Sequence, residues 1–358
     1  MKIEVLPIPD GELKPKPTDE ASLGFGRIFA DRMFVMEYAD GRWRNPRICK
    51  NEPFSLSPAA MALHYAQEIF EGLKAYRTRD GRITLFRPEM NVARMNRSAD
   101  RLVMPPLDPQ LALEGIKQLV RLERDWVPGA EGTALYIRPT MIATDPFLGV
   151  RPSETYLYFV IVGPVGAYYP RGFVPVSIMV SEDYVRAVRG GMGFAKAAGN
   201  YAASLKAQLQ AREKGFDQVL WLDGVHRKYV EEVGTMNMFF AIDGALATAP
   251  LGEGTILPGV TRDSVMRLAR EYGMKVEERP LPIDEVIDGI RKGRVTEAFG
   301  SGTAAIITAV SEIGYRDERL PLGDGGVGPV AQRLYDDLVG IQYGRKPDLF
   351  GWTVQVHP

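Results

Sequence analysis

The sequence predicts an α/β protein, or α+β by some schemes, that is built from two domains. In the second half above all, short apolar runs of strand length alternate with helix-like patterns, as in an α/β domain. A chain of 358 residues is long enough for two hydrophobic cores. Residues 163–172 hold three glycines and two prolines, a composition typical of an interdomain link. We therefore predict a smaller first domain over residues 1–168, a link over 169–175 and a larger second domain over 176–358.

Bulk composition narrows the possible functions. Charged residues make up 25% of the chain and the formal net charge is -1, which favours neither nucleic acid nor a membrane surface as a partner. No run approaches the ~20 apolar residues of a membrane span, and the first residues lack the apolar core of a secretory leader. Cys49 is the only cysteine, which rules out an internal disulfide and indicates a reducing, cytoplasmic compartment. The histidines, His64, His226 and His357, are scattered, so we expect no metal site.

Elements of the first half can be assigned in chain order. Residues 1–22 are rich in Pro, Lys and Glu and predict a loose arm. The aromatic and branched residues of 29–38 predict a strand. Residues 57–65 begin Ser-Pro, an N-cap followed by a first-turn proline, and predict a helix. Asp80-Gly81 lies between two apolar runs and predicts a β-hairpin. The remaining elements are a helix at 91–102 and strands at 134–143 and 156–162.

The predicted strand at 134–143 has two different faces. The two-residue period of a strand puts Leu135 and Ile137 on one face and Tyr136 and Arg138 on the other. The second face thus offers a phenol and a guanidinium, which fits either edge packing or a polar pocket.

Lys196 is unusual because its neighbours are Ala195, Ala197, Ala198 and Gly199. Small neighbours leave space beside the amine for a bulky group and provide few groups to solvate it. Desolvation lowers the pKa of an amine, and a neutral amine can attack a carbonyl to form a Schiff base. The alternative is a lysine whose stem covers apolar surface while its charge reaches water.

Three further helices and several strands are predicted after Lys196, the last of the helices a short one over residues 283–292. The first helix places Ala202, Leu205 and Leu209 on one face. A second helix opens after Pro258-Gly259, so that its free backbone N–H groups can point at an anion. Strands are predicted at 219–222, 230–240 and 295–299.

Five segments, in this order, resemble the fold-type IV pyridoxal-phosphate enzymes and, within them, the branched-chain amino acid aminotransferases. They are FEGLKAY at 70–76, KAAGNY at 196–201, VEEVGTMNMFF at 230–240, ILPGVTR at 256–262 and FGSGTA at 299–304. The resemblance runs from about Phe25 to the C-terminal helix. It implies an open α/β N-terminal domain, a larger barrel-like C-terminal domain and a site at the domain interface. The implied reaction is reversible, ping-pong transamination between L-leucine, L-isoleucine or L-valine and 2-oxoglutarate.

The resemblance also implies how pyridoxal 5'-phosphate is held. Lys196 forms the Schiff base and acts first as base and then as acid. Glu232 forms a hydrogen bond with the ring nitrogen. On sequence grounds alone the adjacent Glu231 is an alternative for this role, although strand alternation turns the two side chains to opposite faces. The family's Glu-x-Gly-Thr-x-Asn pattern selects Glu232. The resemblance implies three other contacts. Arg94, Thr303 and the backbone N–H groups of Val260 and Thr261 bind the phosphate. Tyr201 forms a hydrogen bond with the phenolic oxygen, and Thr235 supports the ring-nitrogen site.

The substrate contacts are implied by resemblance too. The side-chain pocket is formed by Phe25, Phe70, Tyr136 and Tyr168. The α-carboxylate binds backbone N–H groups at Thr303 and Ala304, Arg138 meets the γ-carboxylate of glutamate, and Tyr65 and Leu148 cross from the second subunit of a homodimer. An aromatic wall binds all three branched side chains with little discrimination, because one methylene is worth only ~1 to 3 kcal/mol.

The sequence departs from part of the family at one place. Residues 305–308 read Ala-Ile-Ile-Thr where the mammalian-like branch carries a C-x-x-C pair, so no thiol switch is expected there. The alternatives to this reading are a D-amino acid aminotransferase, an aminodeoxychorismate lyase, or a protein that carries pyridoxal phosphate without turnover.

Overall fold

The computed structural model describes residues 1–166 and 173–357, which form two nine-stranded sheets with helices beside them. The mixture of sheets and helices confirms the predicted α/β class. The chain divides into two compact units. Unit 1 comprises Met1–Pro170, Ala195–Ala198 and Gly340–Pro358, and unit 2 comprises Arg171–Phe194 and Gly199–Val339. Tyr168 and part of the predicted link fall in residues 167–172, outside the described residues.

The strands and helices have the following bounds. The strands are β1 (Glu4–Val5), β2 (Arg32–Ala39), β3 (Arg42–Lys50), β4 (Glu68–Phe70), β5 (Leu73–Arg77), β6 (Ile83–Phe86), β7 (Ala134–Ala143), β8 (Tyr156–Val165), β9 (Val176–Val180), β10 (Gln218–Leu222), β11 (Val230–Val233), β12 (Met236–Ile242), β13 (Ala245–Thr248), β14 (Val276–Glu278), β15 (Val295–Gly302), β16 (Ile306–Tyr315), β17 (Glu318–Pro321) and β18 (Thr353–Val356). The α-helices are α1 (Met61–Tyr65), α2 (Pro88–Arg101), α3 (Pro109–Leu122), α4 (Ala198–Glu213), α5 (Val260–Glu271), α6 (Ile283–Arg291) and α7 (Pro329–Gln342).

The sheet of unit 1 has the strand order β1-β3-β2-β8-β7-β5-β6-β18, with β4 paired to β7. The predicted hairpin is confirmed, since β5 and β6 pair antiparallel around the Asp-Gly turn. Strand β7 has the predicted bounds, and its neighbour β8 continues three residues beyond the predicted end. The longer strand results from pairing of Gly163 and Pro164 with Tyr136 and Leu135.

Two expectations for the first 65 residues are wrong. The predicted loose arm contains β1, which pairs parallel with β3, and Lys14 N donates to Asp31 Oδ1 at 2.8 Å. The helix predicted from residue 57 begins only at Met61. Ser57 starts a tight turn instead, because its Oγ accepts from Ala59 N and its carbonyl from Ala60 N.

The last strand belongs to unit 1, although the sequence placed residues 176–358 together. Strand β18 pairs antiparallel with β6 at the edge of the first sheet. Trp352 packs edge-on against Phe86, with ring centroids 5.6 Å apart. These contacts are made with residues more than 250 positions away in the chain, so no local pattern could indicate them.

The sheet of unit 2 closes on itself. Its order is β11-β10-β9-β16-β15-β12-β13-β14, with β17 on β16, and β11 also pairs with β12. Six strands, β11, β10, β9, β16, β15 and β12, therefore form a closed ring, which leaves no free edge among them. Trp221, Phe239, Phe240 and Phe299 of this sheet are fully buried.

The buried face of α4 is not the face that carries Leu205 and Leu209. Leu205 and Leu209 are 63% and 51% exposed. The helix packs instead through small residues, Ala207 and Ala211, in a cluster with Trp221. Small side chains allow a close approach to the sheet, which the apolar periodicity alone did not reveal.

Candidate active site

Lys196 is attached to the sheet and helices of unit 1 through its backbone. Its N–H donates to Ser98 Oγ at 2.9 Å, and its carbonyl accepts from Phe70 N at 3.1 Å. A further isolated bridge joins Ile69 and Ala197. The amine lies 4.8 Å from the centre of the Phe70 ring. Its position is thus set by contacts on both sides of the lysine.

A buried ion pair lies beside this lysine. Arg94 on α2 donates to Glu71 through Nε at 2.7 Å and Nη2 at 2.8 Å, and Asn91 Nδ2 donates to the same carboxylate at 2.8 Å. Burial by itself raises the pKa of Glu71, but the charge and hydrogen bonds of Arg94, with help from Lys196 and Asn91, outweigh it and lower this pKa. The bidentate pair fixes the plane of the Arg94 guanidinium.

Four residues predicted for the substrate pocket lie together in unit 1. Phe25 and Tyr136 make an edge contact with ring centroids 5.0 Å apart. The guanidinium of Arg138 lies 4.8 Å from the Phe70 ring and 5.2 Å from the Tyr136 ring, and Arg138 Nη2 donates to Tyr136 Oη at 3.1 Å. Arg138 Nε is buried and has no hydrogen-bond partner among the described residues. This aromatic wall therefore contains a cation with donor capacity to spare.

Gly72 explains how the Tyr136 hydroxyl fits into this wall. A Cβ atom at Gly72 would lie 2.1 Å from Tyr136 Oη, so any other residue would displace the phenol. The glycine of the Phe-Glu-Gly-Leu segment is therefore required by a close approach and not by its backbone angles.

Two other residues predicted for the substrate site, Tyr65 and Leu148, are exposed. Tyr65 ends α1 and is 40% exposed, and Leu148 follows β7 and is 67% exposed. Tyr168 lies outside the described residues. The crossing of Tyr65 and Leu148 into a second subunit stays a prediction.

Glu232 on β11 is buried and surrounded by donors in unit 2. Its Oε1 accepts from Leu257 N at 2.9 Å and from Asn237 Nδ2 at 3.2 Å, and its Oε2 lies 2.7 Å from Nε of Arg186. Donors and a cation favour the ionised form of a carboxylate. Such a carboxylate can stabilise a cationic ring nitrogen.

The neighbouring Glu231 is in a different state. Thr255 Oγ1 donates to its Oε1 at 2.5 Å, whereas its Oε2 has no partner among the described residues. Burial raises the pKa of Glu231 to about 7, although the Thr255 hydrogen bond and the charge of Arg186 oppose the rise. Glu231 therefore keeps its proton to a higher pH than an ordinary glutamate, and both glutamates reach the loop at residues 255–257.

The predicted anion-binding groups are present in unit 2. Val260 and Thr261 are the first residues of α5, both are buried, and the first N–H groups of a helix have no partner within it. Thr303 and Ala304 lie in the turn between β15 and β16. Two buried hydroxyls flank this turn, Ser301 Oγ and Thr308 Oγ1, and neither has a partner among the described residues.

The same turn is strained. Ile306 has a φ of 65°, a conformation that β-branched residues rarely adopt. Strain of this kind persists only where the surrounding structure imposes it, and it concentrates at binding sites.

Two predicted cofactor contacts receive less support from their surroundings. Tyr201 lies in the first turn of α4 and is half-buried. Thr235 lies in the turn between β11 and β12 and is exposed. The roles assigned to both remain predictions.

Sequence reasoning missed two charged residues around the site. Arg186 lies in a loop without any motif, and only its contact with Glu232 identifies it. Lys74 pairs with Tyr136 across β5 and β7, which puts it on the polar face of the sheet. Burial lowers the pKa of Lys74 to about 8. Lys74 belongs to the family segment at residues 70–76, and that position is the sequence feature that could have identified it.

No group of three or more His, Cys, Asp or Glu side chains able to hold a metal ion occurs in the described part of the chain. The residues instead fit a cofactor with an aldehyde, a basic ring nitrogen and a phosphate. Unit 1 offers the amine of Lys196 for the aldehyde, and unit 2 offers Glu232 for the ring nitrogen and the start of α5 with the unpartnered hydroxyls for the phosphate.

These features are those of a pyridoxal-phosphate aminotransferase, and the comparisons with known proteins agree. The family described as "Amino-transferase class IV" matches residues 68–313, and the chain belongs to this family. The "Branched-chain-amino-acid aminotransferase 2" of Bacillus subtilis (strain 168) is 55% identical over 344 residues, which cover 96% of this chain and 94% of that protein.

Solved structures give the same result. The branched-chain amino acid aminotransferase of Escherichia coli matches with a TM-score of 0.75 at 28% identity, covering 91% of this chain and 99% of that one. The holo-form of the Thermobaculum terrenum enzyme, which contains pyridoxal phosphate, matches with a TM-score of 0.73 at 25% identity, over 91% and 98% of the two chains. None of the helices formed by residues 1–166 and 173–357 has the length and apolarity to span a bilayer.

Proposed function

We propose that this protein is a branched-chain-amino-acid transaminase. It transfers the amino group between L-leucine, L-isoleucine or L-valine and 2-oxoglutarate, giving the branched 2-oxo acid and L-glutamate. The observation that carries the proposal is the position of the Lys196 amine, 4.8 Å from the Phe70 ring of an aromatic wall that also holds Arg138. The Bacillus subtilis relative named above supports the choice of branched-chain substrates.

When bound, pyridoxal 5'-phosphate supplies an aldehyde that joins to amines and a ring that withdraws electrons from the substrate's α-carbon. Lys196 holds this aldehyde through Nζ, and Glu232 keeps the ring nitrogen protonated. Arg94, the first N–H groups of α5 and Thr303 bind the phosphate. The charge and burial of Arg94 and Glu232 and the buried start of α5 support these assignments.

Lys196 also moves the proton. When the substrate amine takes its place, the amine of Lys196 would accept the proton of the substrate's α-carbon and would later give that proton back as an acid. A base already held in place by Ser98 and Phe70 avoids the entropic cost of bringing one in from solution. Because each half of the cycle releases its product before the next substrate binds, the kinetics are ping-pong.

The substrate pocket serves two unlike side chains. Phe25, Phe70 and Tyr136 provide apolar surface for leucine, isoleucine and valine. Glutamate enters the same pocket, where the buried Nε of Arg138, which has no partner among the described residues, donates to its γ-carboxylate. Glu68 lies close enough to Arg138 to interact with its charge, although burial raises the pKa of this glutamate.

The enzyme acts as a homodimer in the cytoplasm. The dimer is supported by exposed apolar side chains on and near α1 and after β7, namely Leu63, Tyr65, Leu148 and Val150. A second copy that covers this surface would bring Tyr65 and Leu148 to its partner's pocket. The location rests on the single cysteine, Cys49, which excludes an internal disulfide.

An absorbance titration of the cofactor-loaded protein tests the proposal. L-leucine should abolish the band of the bound cofactor and 2-oxoglutarate should restore it, whereas Lys196→Ala should show no such cycle. Lys206→Ala removes an exposed lysine of α4 and serves as the matched control. Turnover of D-alanine without turnover of L-leucine would refute the assignment.

A further inference from the structure

Arg186 connects three segments of unit 2. Its Nε lies 2.7 Å from Glu232 Oε2, and its Nη2 donates to the carbonyl of Gly193 at 3.0 Å and to the carbonyl of Thr255. The side chain is only 9% exposed. Its Nη2 thus holds two backbone carbonyls by hydrogen bonds, whereas Glu232 is held by charge, because Nε does not reach it with hydrogen-bond geometry.

The acceptors belong to segments with different parts in the proposed reaction. Gly193 precedes Lys196 by three residues. A Cβ at Gly193 would lie 2.2 Å from the carbonyl oxygen of Thr255, so the two backbones can approach only because this residue is glycine. Thr255 lies in the loop that leads into α5. Arg186 therefore fixes Glu232 relative to both backbone segments.

One cation faces two carboxylates in this network. Glu231 and Glu232 are adjacent on β11 and both are buried. The charged groups that act on Glu231 are Arg186, Glu232 and Asp223, and Thr255 donates to it. A single buried guanidinium balances one negative charge, which the distances assign to Glu232.

We propose that Arg186 is a positioning residue for transamination, because it keeps Glu232 ionised and correctly oriented. The inference rests on the proposed function, because Glu232 acts on the reaction only by stabilising the protonated ring nitrogen. The network serves proton movement at the α-carbon, and the substrate side chain binds to residues of unit 1. Loss of Arg186 therefore lowers kcat and leaves KM nearly unchanged.

Two substitutions in the full-length, cofactor-loaded protein test this. Arg186→Met should lower kcat about 100-fold, as misplacement of a reacting group does. Arg186→Lys keeps the charge but loses the planar guanidinium, and it should lower kcat about 10-fold. In both variants the pH titration of the cofactor absorbance without substrate should shift. Arg32→Met breaks another arginine–glutamate pair, with Glu123, and should leave kcat and the titration unchanged.

Combination with Glu232→Gln separates positioning from general structural support. If Arg186 acts through Glu232, the double variant should have a kcat within about threefold of Glu232→Gln alone. Multiplied losses, or an Arg186→Met protein with wild-type kcat and titration, would overturn the inference. If Arg186→Met does not fold, Arg186→Lys is judged on the same measurements. A wild-type protein without any response to leucine would refute the proposed function instead.

Discussion

Replacing Glu231 by glutamine should change how the stability of the protein depends on pH. The pKa of Glu231 is raised from 4.5 to about 7 by burial. The folded state therefore keeps the proton up to about pH 7, whereas the unfolded chain releases it near pH 4.5. The free energy of unfolding accordingly falls as pH rises through this window, by a total of about 3 kcal/mol, and levels off above it. Glutamine has no proton to release and lacks this loss.

Urea unfolding of the wild type and Glu231→Gln at pH values from about 4.5 to about 8.5 measures the effect. The stability of the wild type relative to the variant should decline by about 3 kcal/mol between the two ends of this range. Thr255→Val removes the hydrogen bond that favours the ionised carboxylate, so in this variant the decline should extend to higher pH. Parallel pH curves for the wild type and Glu231→Gln would show that this carboxyl is not held protonated.

Two further substitutions address unit 1. Gly72→Ala should displace the Tyr136 phenol, because the phenol oxygen would lie 2.1 Å from the new Cβ. In steady-state assays the KM for leucine should rise about 10-fold or more. Gly129→Ala is the control, since its new Cβ meets only Arg77 at 3.7 Å, and it should leave KM unchanged. Glu71→Gln should lower the free energy of unfolding by about 3 to 5 kcal/mol in urea at about pH 7.5, because it removes the carboxylate that neutralises the buried Arg94 charge. Because the pKa of Glu71 is lowered in the folded state, its contribution to the free energy of unfolding is present above pH 4.5 and is lost as the pH falls through the lowered value. A stability difference between wild type and Glu71→Gln that does not shrink in acid would contradict the argument.

Much of the site was accessible from local patterns. Strand β7, with Tyr136 and Arg138 on one face, has the predicted bounds because the two-residue period is a property of the strand itself. The start of α5 at Val260 follows from the Pro-Gly pair before it. The role of Lys196 came from its small neighbours together with a family resemblance, and the fold and reaction class implied by that resemblance agree with the relatives.

Other features depend on residues that are distant in the chain. Arg186 and Glu232 are 46 positions apart, and nothing in the local sequence of either predicts their ion pair. The exposure of Leu205 on α4 does not follow from the apolar periodicity, because small side chains let the opposite face pack more closely. The placement of β18 beside β6 likewise could not be read from its own residues.

The sequence by itself thus determined the class of fold, the chemical groups available for catalysis and the elements that carry them. The tertiary structure decided which charges neutralise each other, which of two adjacent glutamates keeps its proton, and which helix face is buried. The physical reason is that strand period and turn chemistry are set by neighbouring residues, whereas burial and ion pairing are set by whatever long-range folding brings into contact.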